Sequence, residues 1–308
     1  MKPVPHLRFN SEGGIHIWFL SELYSVTGET KYLETAERIA SFMIKEILPQ
    51  QRWCDFETFY SCASKPEDTF DEHTGQWPRC TLSMIWAIDG FRALYEATKN
   101  RNYLDIAEAV ADYAAFYQSV WQPHFIITAY VFGGFTSQNS DAEWLDMRQS
   151  QYAEAAVRLG KLIGRQDLLE RGVSALRASF ALVNHPRHVN NDIFRGARFY
   201  PHVYPLIEPE NIDHAGLPQL PLRSGFDWGE GGALAAAAEV LRLLGGAYID
   251  SKRKIAVGVD GVLIEKFEIN GEKIYVDLKN QLQELPDPYD NPYSINLKII
   301  GLPAGDYK

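Results

Sequence analysis

The sequence predicts a mainly α protein of repeated helix hairpins followed by a small C-terminal antiparallel β module. Three observations predict it: a segment that recurs between residues 11 and 248, apolar residues at helical spacing on either side of each copy, and a change to short β-branched runs from Lys254 onward. The predicted boundaries are 1–249 for the helix-hairpin domain and 250–308 for the β module, whose last residues, Gly305-Asp306-Tyr307-Lys308, read as the lead-in to one more strand.

The first copy is Leu23-Tyr24-Ser25-Val26-Thr27-Gly28-Glu29-Thr30-Lys31-Tyr32-Leu33. It matches Leu94-Tyr95-Glu96-Ala97-Thr98-Lys99-Asn100-Arg101-Asn102-Tyr103-Leu104 almost position for position. A weaker third copy runs from Leu162 to Leu169. With Tyr32, Tyr103 and Leu168 as equivalents, the spacings are 103 − 32 = 71 and 168 − 103 = 65 residues. Each copy reads as helix, tight turn, helix. Ile17, Leu20 and Leu23 suit a largely buried helix, while Leu33, Ala36, Ala40 and Met43 form a stripe on its partner. Gly28 and Gly164 supply the left-handed residue that ends a helix. The predicted pairs are 12–27 with 31–48, 80–98 with 101–120 and 141–163 with 166–183, and a seventh helix begins near Glu230.

Connections within a hairpin are a few residues long, whereas those between hairpins cover about 49–79, 121–140 and 184–229. Long structureless connections tend to be functional. Every long one joins a second helix to the next first helix, so all of them emerge at one end of the array. That end is the predicted site.

In the tail, Ile255-Ala256-Val257, Val262-Leu263-Ile264, Phe267-Glu268-Ile269 and Ile274-Tyr275-Val276 read as strands, the last two joined through Asn270-Gly271, a strong hairpin signal. The segment from Tyr293 to Ile300 reads as another strand.

Composition narrows the function. The 46% hydrophobic fraction is ordinary for a globular protein, and no stretch reaches the length of a membrane span. A net charge of −10 works against a nucleic-acid partner. The start, Met1-Lys2-Pro3-Val4-Pro5, lacks a secretory apolar core, and the three cysteines (Cys54, Cys62, Cys80) cannot all pair, so a reducing compartment is expected unless the chain is a piece of a secreted precursor. No metal or other cofactor is expected: His185, His188, His202 and His214 fall in no metal-binding motif.

The helix-hairpin repeat with its Thr27-Gly28-Glu29-Thr30-Lys31-Tyr32-Leu33 turn, followed by a small β module, resembles the six-hairpin glycosidase superfamily of (α/α) toroids, which includes glycoside hydrolases and polysaccharide lyases. The resemblance covers about 240 residues. It implies an oligo- or polysaccharide partner held by long loops at the N-terminal ends of the inner helices. Seven helices fall short of the twelve of a complete ring, which leaves three readings: the C-terminal part of a ring whose N-terminal segment is missing, an open array, or a ring completed by another copy.

Loop composition fits a sugar cleft, where aromatic faces meet C–H surfaces and charged groups meet hydroxyls. The first connection carries Asp55, Glu57, Asp71 and Trp77, and its aromatic residues could equally anchor the loop. The third inner helix has Ser140 or Asp141 as its expected cap, and beyond the cap stand Asp146 and Arg148, which either bind substrate or cross-link helices. The last connection ends with His214, Arg223, Asp227, Trp228 and Glu230. Hydrolysis needs two carboxylates flanking the glycosidic oxygen: one from Asp227 or Glu230, the other from Asp55, Glu57 or Asp71. A lyase would instead use a Tyr or His base with a cationic group, for which Tyr200, His202, Tyr204, His214 and Arg223 are candidates. A non-catalytic glycan-binding protein is the third reading.

Overall fold

A computed structural model describes residues 10–54, 70, 72, 75–77, 79–122, 131–136, 145–182, 228–271, 273–281 and 294–302, with the side chains of Trp228 and Glu230 excepted. Seven α-helices lie in this part: α1 (Gly13–Thr27), α2 (Thr30–Phe42), α3 (Thr81–Thr98), α4 (Arg101–Ala114), α5 (Arg148–Ile163), α6 (Gln166–Ser179) and α7 (Trp228–Leu244). The predicted fold class stands: the chain is mainly helical, with a small strand module after the helices. No helix among the described residues is long and apolar enough to cross a membrane.

The repeat has a structural basis in the turns. Gly28 and Gly164 sit at φ 72° and 76°, the left-handed region where a Cβ is strained, and each ends its helix. In the second copy Lys99 takes the same place at φ 61°. Copies one and two also share their side-chain hydrogen bonds. Thr27 and Thr98 each donate back to the carbonyl four residues earlier, at 2.7 Å, and each accepts from the amide two residues on, at 3.2 and 3.1 Å. Tyr103 stacks on Phe91, and its hydroxyl donates to Glu37 Oε1 at 3.4 Å, so the repeated tyrosine joins one hairpin to the one before it.

The first helices of the hairpins form an inner row, α1 beside α3, α3 beside α5 and α5 beside α7, backed by α2, α4 and α6. Ile17, Ile88, Phe91, Ala156 and Val240 fill the seams of this row. Close approach depends on small residues. A Cβ on Gly14 would lie 2.4 Å from the Ala87 backbone nitrogen, and one on Gly90 would lie 2.4 Å from the Gly14 carbonyl oxygen. A Cβ on Gly232 would meet Ser150 Oγ at 2.5 Å, so the first turn of α7 lies directly on that of α5.

Helix limits differ from the periodicity in several places, two of which bear on the core and the site. The second helix continues past Phe42 through a π turn over Met43–Ile47, which buries Met43 and Ile47, and a 3-10 turn over Leu48–Gln50, whose partly buried Leu48 packs on the core. The third inner helix starts at Arg148 rather than 141, and residues 145–147 lie outside the helix. Its N-terminal carboxylate is therefore Asp146; Ser140 and Asp141 lie outside the described residues.

The strands form two sheets. β1 (Ala247–Asp250) pairs antiparallel with β2 (Ile255–Gly258) and parallel with β5 (Leu297–Ile300). β3 (Val262–Asn270) and β4 (Lys273–Asn280) make the antiparallel hairpin turned at Gly271, with a register shift between Ile264 and Lys266. Tyr248, Ile255, Val257 and Val259 belong to the same buried cluster as the helices. The first sheet therefore shares the helical core, and the Arg177 guanidinium donates to the Val259 carbonyl across that contact.

Candidate functional site

The long-connection end of the inner row is stitched together residue by residue. Residues 53–54 run between the starts of the first two inner helices: Ser11 donates its amide to Cys54 O at 2.7 Å, and Cys80, which precedes α3, donates its amide to Trp53 O at 2.9 Å. The connection from residue 55 to 78 thus leaves and re-enters at neighbouring helix starts. Thr81 Oγ1 donates to Thr136 O at 2.6 Å, and the Phe135 amide donates to Gln149 Oε1 at 3.2 Å, which ties α3 to α5. With Gly232 seated on Ser150, four inner-helix starts are joined in sequence.

Of the predicted site residues, Trp77, Asp146 and Arg148 are described with their side chains, and Trp228 and Glu230 by their backbone in the first turn of α7. Asp55, Glu57, Asp71, His202, Tyr204, His214, Arg223 and Asp227 lie outside the described residues. Trp77 is partly buried, with the Arg52 guanidinium 4.4 Å above its ring and Phe70 edge-on at 5.2 Å. Asp146 (0% exposed) and Arg148 (2%) form an ion pair at the start of α5, where Asp146 Oδ1 also accepts the Arg148 amide at 3.0 Å. The carboxylate thereby holds both the first turn and the guanidinium, the arrangement expected of a helix start.

Sequence reasoning passed over other polar groups at this end. Arg79, nearly buried, donates through Nε to the Tyr113 hydroxyl at 2.6 Å. Tyr117 packs edge-on against Tyr113, and its phenol is pushed well above the ordinary tyrosine range, first by burial and then by its hydrogen bond with Tyr113. It is therefore held protonated at neutral pH, which suits it as a donor and not as a base. The neighbouring Tyr152 phenol is raised by burial in the same way.

One side of the inner row, toward the short-turn end, carries an open cavity of about 910 Å³. It draws Trp18, Phe19 and Glu22 from α1, Arg92 and Glu96 from α3, Arg158 and Lys161 from α5, and Glu239 and Arg242 from α7. Arg158 is its hub. It donates to Asp89 Oδ2 at 3.0 Å, Glu154 Oε2 at 2.7 Å and Glu239 Oε1 at 3.1 Å, and lies 5.1 Å from the Trp18 ring centre. Asp89, 3% exposed, also accepts from Arg92 Nε at 3.0 Å, and Arg92 reaches Glu96.

Two carboxyls on that one guanidinium titrate in opposite directions. Glu239 is held down at about 2, chiefly by hydrogen bonding to Arg242 and then, against the opposing effect of burial, to Arg158. Glu154 is pushed up by burial, which outweighs Arg158 beside it. Lys161 donates to the Leu243 carbonyl at 3.1 Å and is lowered by burial and by Lys298 and Arg242. The network cross-links α3, α5 and α7. The sequence held one signal of it: charges spaced three and four apart, such as Asp89, Arg92 and Glu96, on a helix whose other faces are apolar.

Among the described residues no group of three or more His, Cys, Asp or Glu is placed to hold a metal ion. Cys54 and Cys80 are fully buried against each other.

A row of inner helices backed by outer ones, with every long connection at one end, defines an (α/α) hairpin array. No family model and no curated protein matches the chain. Among solved structures, a glycoside hydrolase family 76 (mannosidase) protein from Bacteroides thetaiotaomicron VPI-5482 aligns with 73% of this chain over 69% of its own, at 16% identity and a TM-score of 0.34.

Proposed function

We propose that this chain is a glycoside hydrolase that binds an oligo- or polysaccharide at the long-connection end of the array and cleaves it with a pair of carboxylates. One observation carries the reading: the connections rich in acids and aromatics enter the structure at inner-helix starts that touch one another. The segment bearing Asp55, Glu57 and Asp71 is anchored at Trp53–Cys54 and Arg79–Cys80 beside the starts of α1 and α3. The segment ending in Asp227 and Glu230 enters α7, whose first turn lies on Ser150 and Met147 of the α5 start.

In this reading one carboxyl of the Asp227/Glu230 set protonates the leaving oxygen. A carboxylate of the Asp55/Glu57/Asp71 set acts as nucleophile or activates water. Trp77, His202, Tyr204, His214, Arg223 and Trp228 contribute stacking and hydrogen bonds to the sugar, and the buried Asp146–Arg148 pair holds the α5 start on which the site is built.

The test is product analysis after incubating the intact chain with a panel of neutral and uronate-containing polysaccharides. New reducing ends without a product absorbing at 232 nm support hydrolysis. A 232 nm chromophore, the signature of an unsaturated uronate, replaces it with a lyase. Binding without turnover on every member of the panel leaves a glycan-binding protein.

A further inference from the structure

We infer that the open groove between α1, α3, α5 and α7 is a second carbohydrate-binding surface, taking an uncharged oligosaccharide segment at the end of the array opposite the proposed cleavage acids. The cavity of about 910 Å³ lies within the range of small-ligand sites, and its wall comes from four helices, with Arg253 of the β1–β2 turn added at one edge.

Its charges select the ligand class. Arg92, Arg158, Lys161, Arg242 and Arg253 are five cations on its wall, faced by Glu22, Glu96 and Glu239. Asp89 and Glu154 hold the arginines from behind, which makes five carboxylates and a local balance near zero. An anionic ligand at Arg92, Arg158 or Arg242 would have to displace carboxylates already bonded to them, a cationic ligand would compete with those same guanidinium groups, and Lys161 and Arg253 are engaged by backbone carbonyls. Hydroxyl groups carry no such penalty, since they donate to a spare carboxylate lone pair and accept from a spare N–H without breaking an ion pair.

The remaining valences point the same way. Glu22 stands 55% exposed with Arg92 at only 4.0 Å, and Glu96 is also partly exposed beside it. Apolar contact comes from Ile15, Leu162, Leu243 and above all Phe19, whose ring is 64% exposed on an inner helix at the groove wall. Trp18 is already covered by Arg158, so Phe19 is the ring offered to a sugar C–H face. A wall that alternates acceptors, donors and one open aromatic ring fits a polyhydroxylated ring system better than a flat apolar or a charged ligand.

The experiment is calorimetric titration of the intact chain with linear tri- and tetrasaccharides of glucose, mannose, galactose and xylose, with a uronate oligomer and inorganic phosphate as charged probes. It is repeated on Phe19→Ala, Glu96→Gln and Asp227→Asn. At least one neutral saccharide is expected to bind, to weaken on the order of tenfold in both groove variants, and to keep its affinity in Asp227→Asn. Phe19 and Glu96 are exposed enough for both variants to fold, which unchanged circular dichroism melts verify. Affinity unaltered by either groove variant overturns the inference, as does absence of binding by every neutral saccharide, or tighter binding of the charged probes that the groove variants weaken. Turnover is read separately: full activity in both Asp227→Asn and Glu230→Gln removes the cleavage assignment and leaves the groove result standing.

Discussion

The two ends of the inner helix row handle charge in opposite ways. At the long-connection end the described charge is sealed: Asp146 and Arg148 are buried together and fix the start of α5. Toward the short-turn end, charge forms a network that begins at buried Asp89 and opens through Arg92 to exposed Glu22 and through Arg158 and Glu239 to exposed Arg242. A sealed pair contributes rigidity, because loss of one member strands the other in a low-dielectric interior. A graded network keeps its inner bonds while its outer groups stay available to solvent and ligand. Substitutions at the first end should therefore cost folding, and substitutions at the second should cost titration behaviour and binding.

The largest effect is expected from Asp146→Ala, which leaves the Arg148 guanidinium buried without that carboxylate and should lower stability by about 3–5 kcal/mol in urea unfolding. Adding Arg148→Met should recover part of the loss; a double variant no more stable than the single one would break the contrast between the ends. Next, Gly90→Ala places a Cβ 2.4 Å from a backbone oxygen of α1 and is expected to cost about 2–3 kcal/mol by separating the inner helices.

A smaller, pH-dependent effect belongs to Glu239. Its folded pKa of about 2 lies below the ordinary 4.5, so its contribution is fully present above about pH 4.5 and is lost as pH falls through about 2. The full shift corresponds to about 3 kcal/mol, but Arg158 keeps Asp89 and Glu154 when Glu239 is replaced, so Glu239→Gln should cost about 1–2 kcal/mol at pH 7. Unfolding curves of wild type and variant should converge toward pH 2. Glu154 has the opposite sign: its raised pKa makes its ionisation a cost that disappears as it is protonated on acidification. The smallest effect is expected from Arg101→Ala, which removes an exposed pair with Asp105 and should leave the melting temperature unchanged.

The hairpins were legible because their signals are local. A helical apolar period, a left-handed glycine and a repeated Tyr-Leu at the next helix start all lie within one turn, and Asn270-Gly271 announced the β3–β4 hairpin in the same way. Two features escaped for the converse reason. β1 is four buried residues, Ala247–Asp250, with no alternation to mark it, and its parallel partner β5 is distant in sequence. The start of α5 was read early because Ser140 and Asp141 look like helix caps, whereas Asp146 is the carboxylate that bonds the first turn. The groove was hidden by ordinary spacing: Asp89, Arg92 and Glu96 resemble a solvated helix face, and only the packing of α3 among α1 and α5 turns that face inward. The direction of the long connections followed from sequence order alone, since each precedes an inner helix.

The most direct test of the account compares kcat/KM for release of reducing ends by the intact chain and by Asp227→Asn and Glu230→Gln on the most active polysaccharide. A fall on the order of 10² to 10⁴ in at least one of the two, with the fold intact, is the predicted result for loss of a catalytic carboxyl. Undiminished release by both variants would contradict the placement of the cleaving acids at the long-connection end.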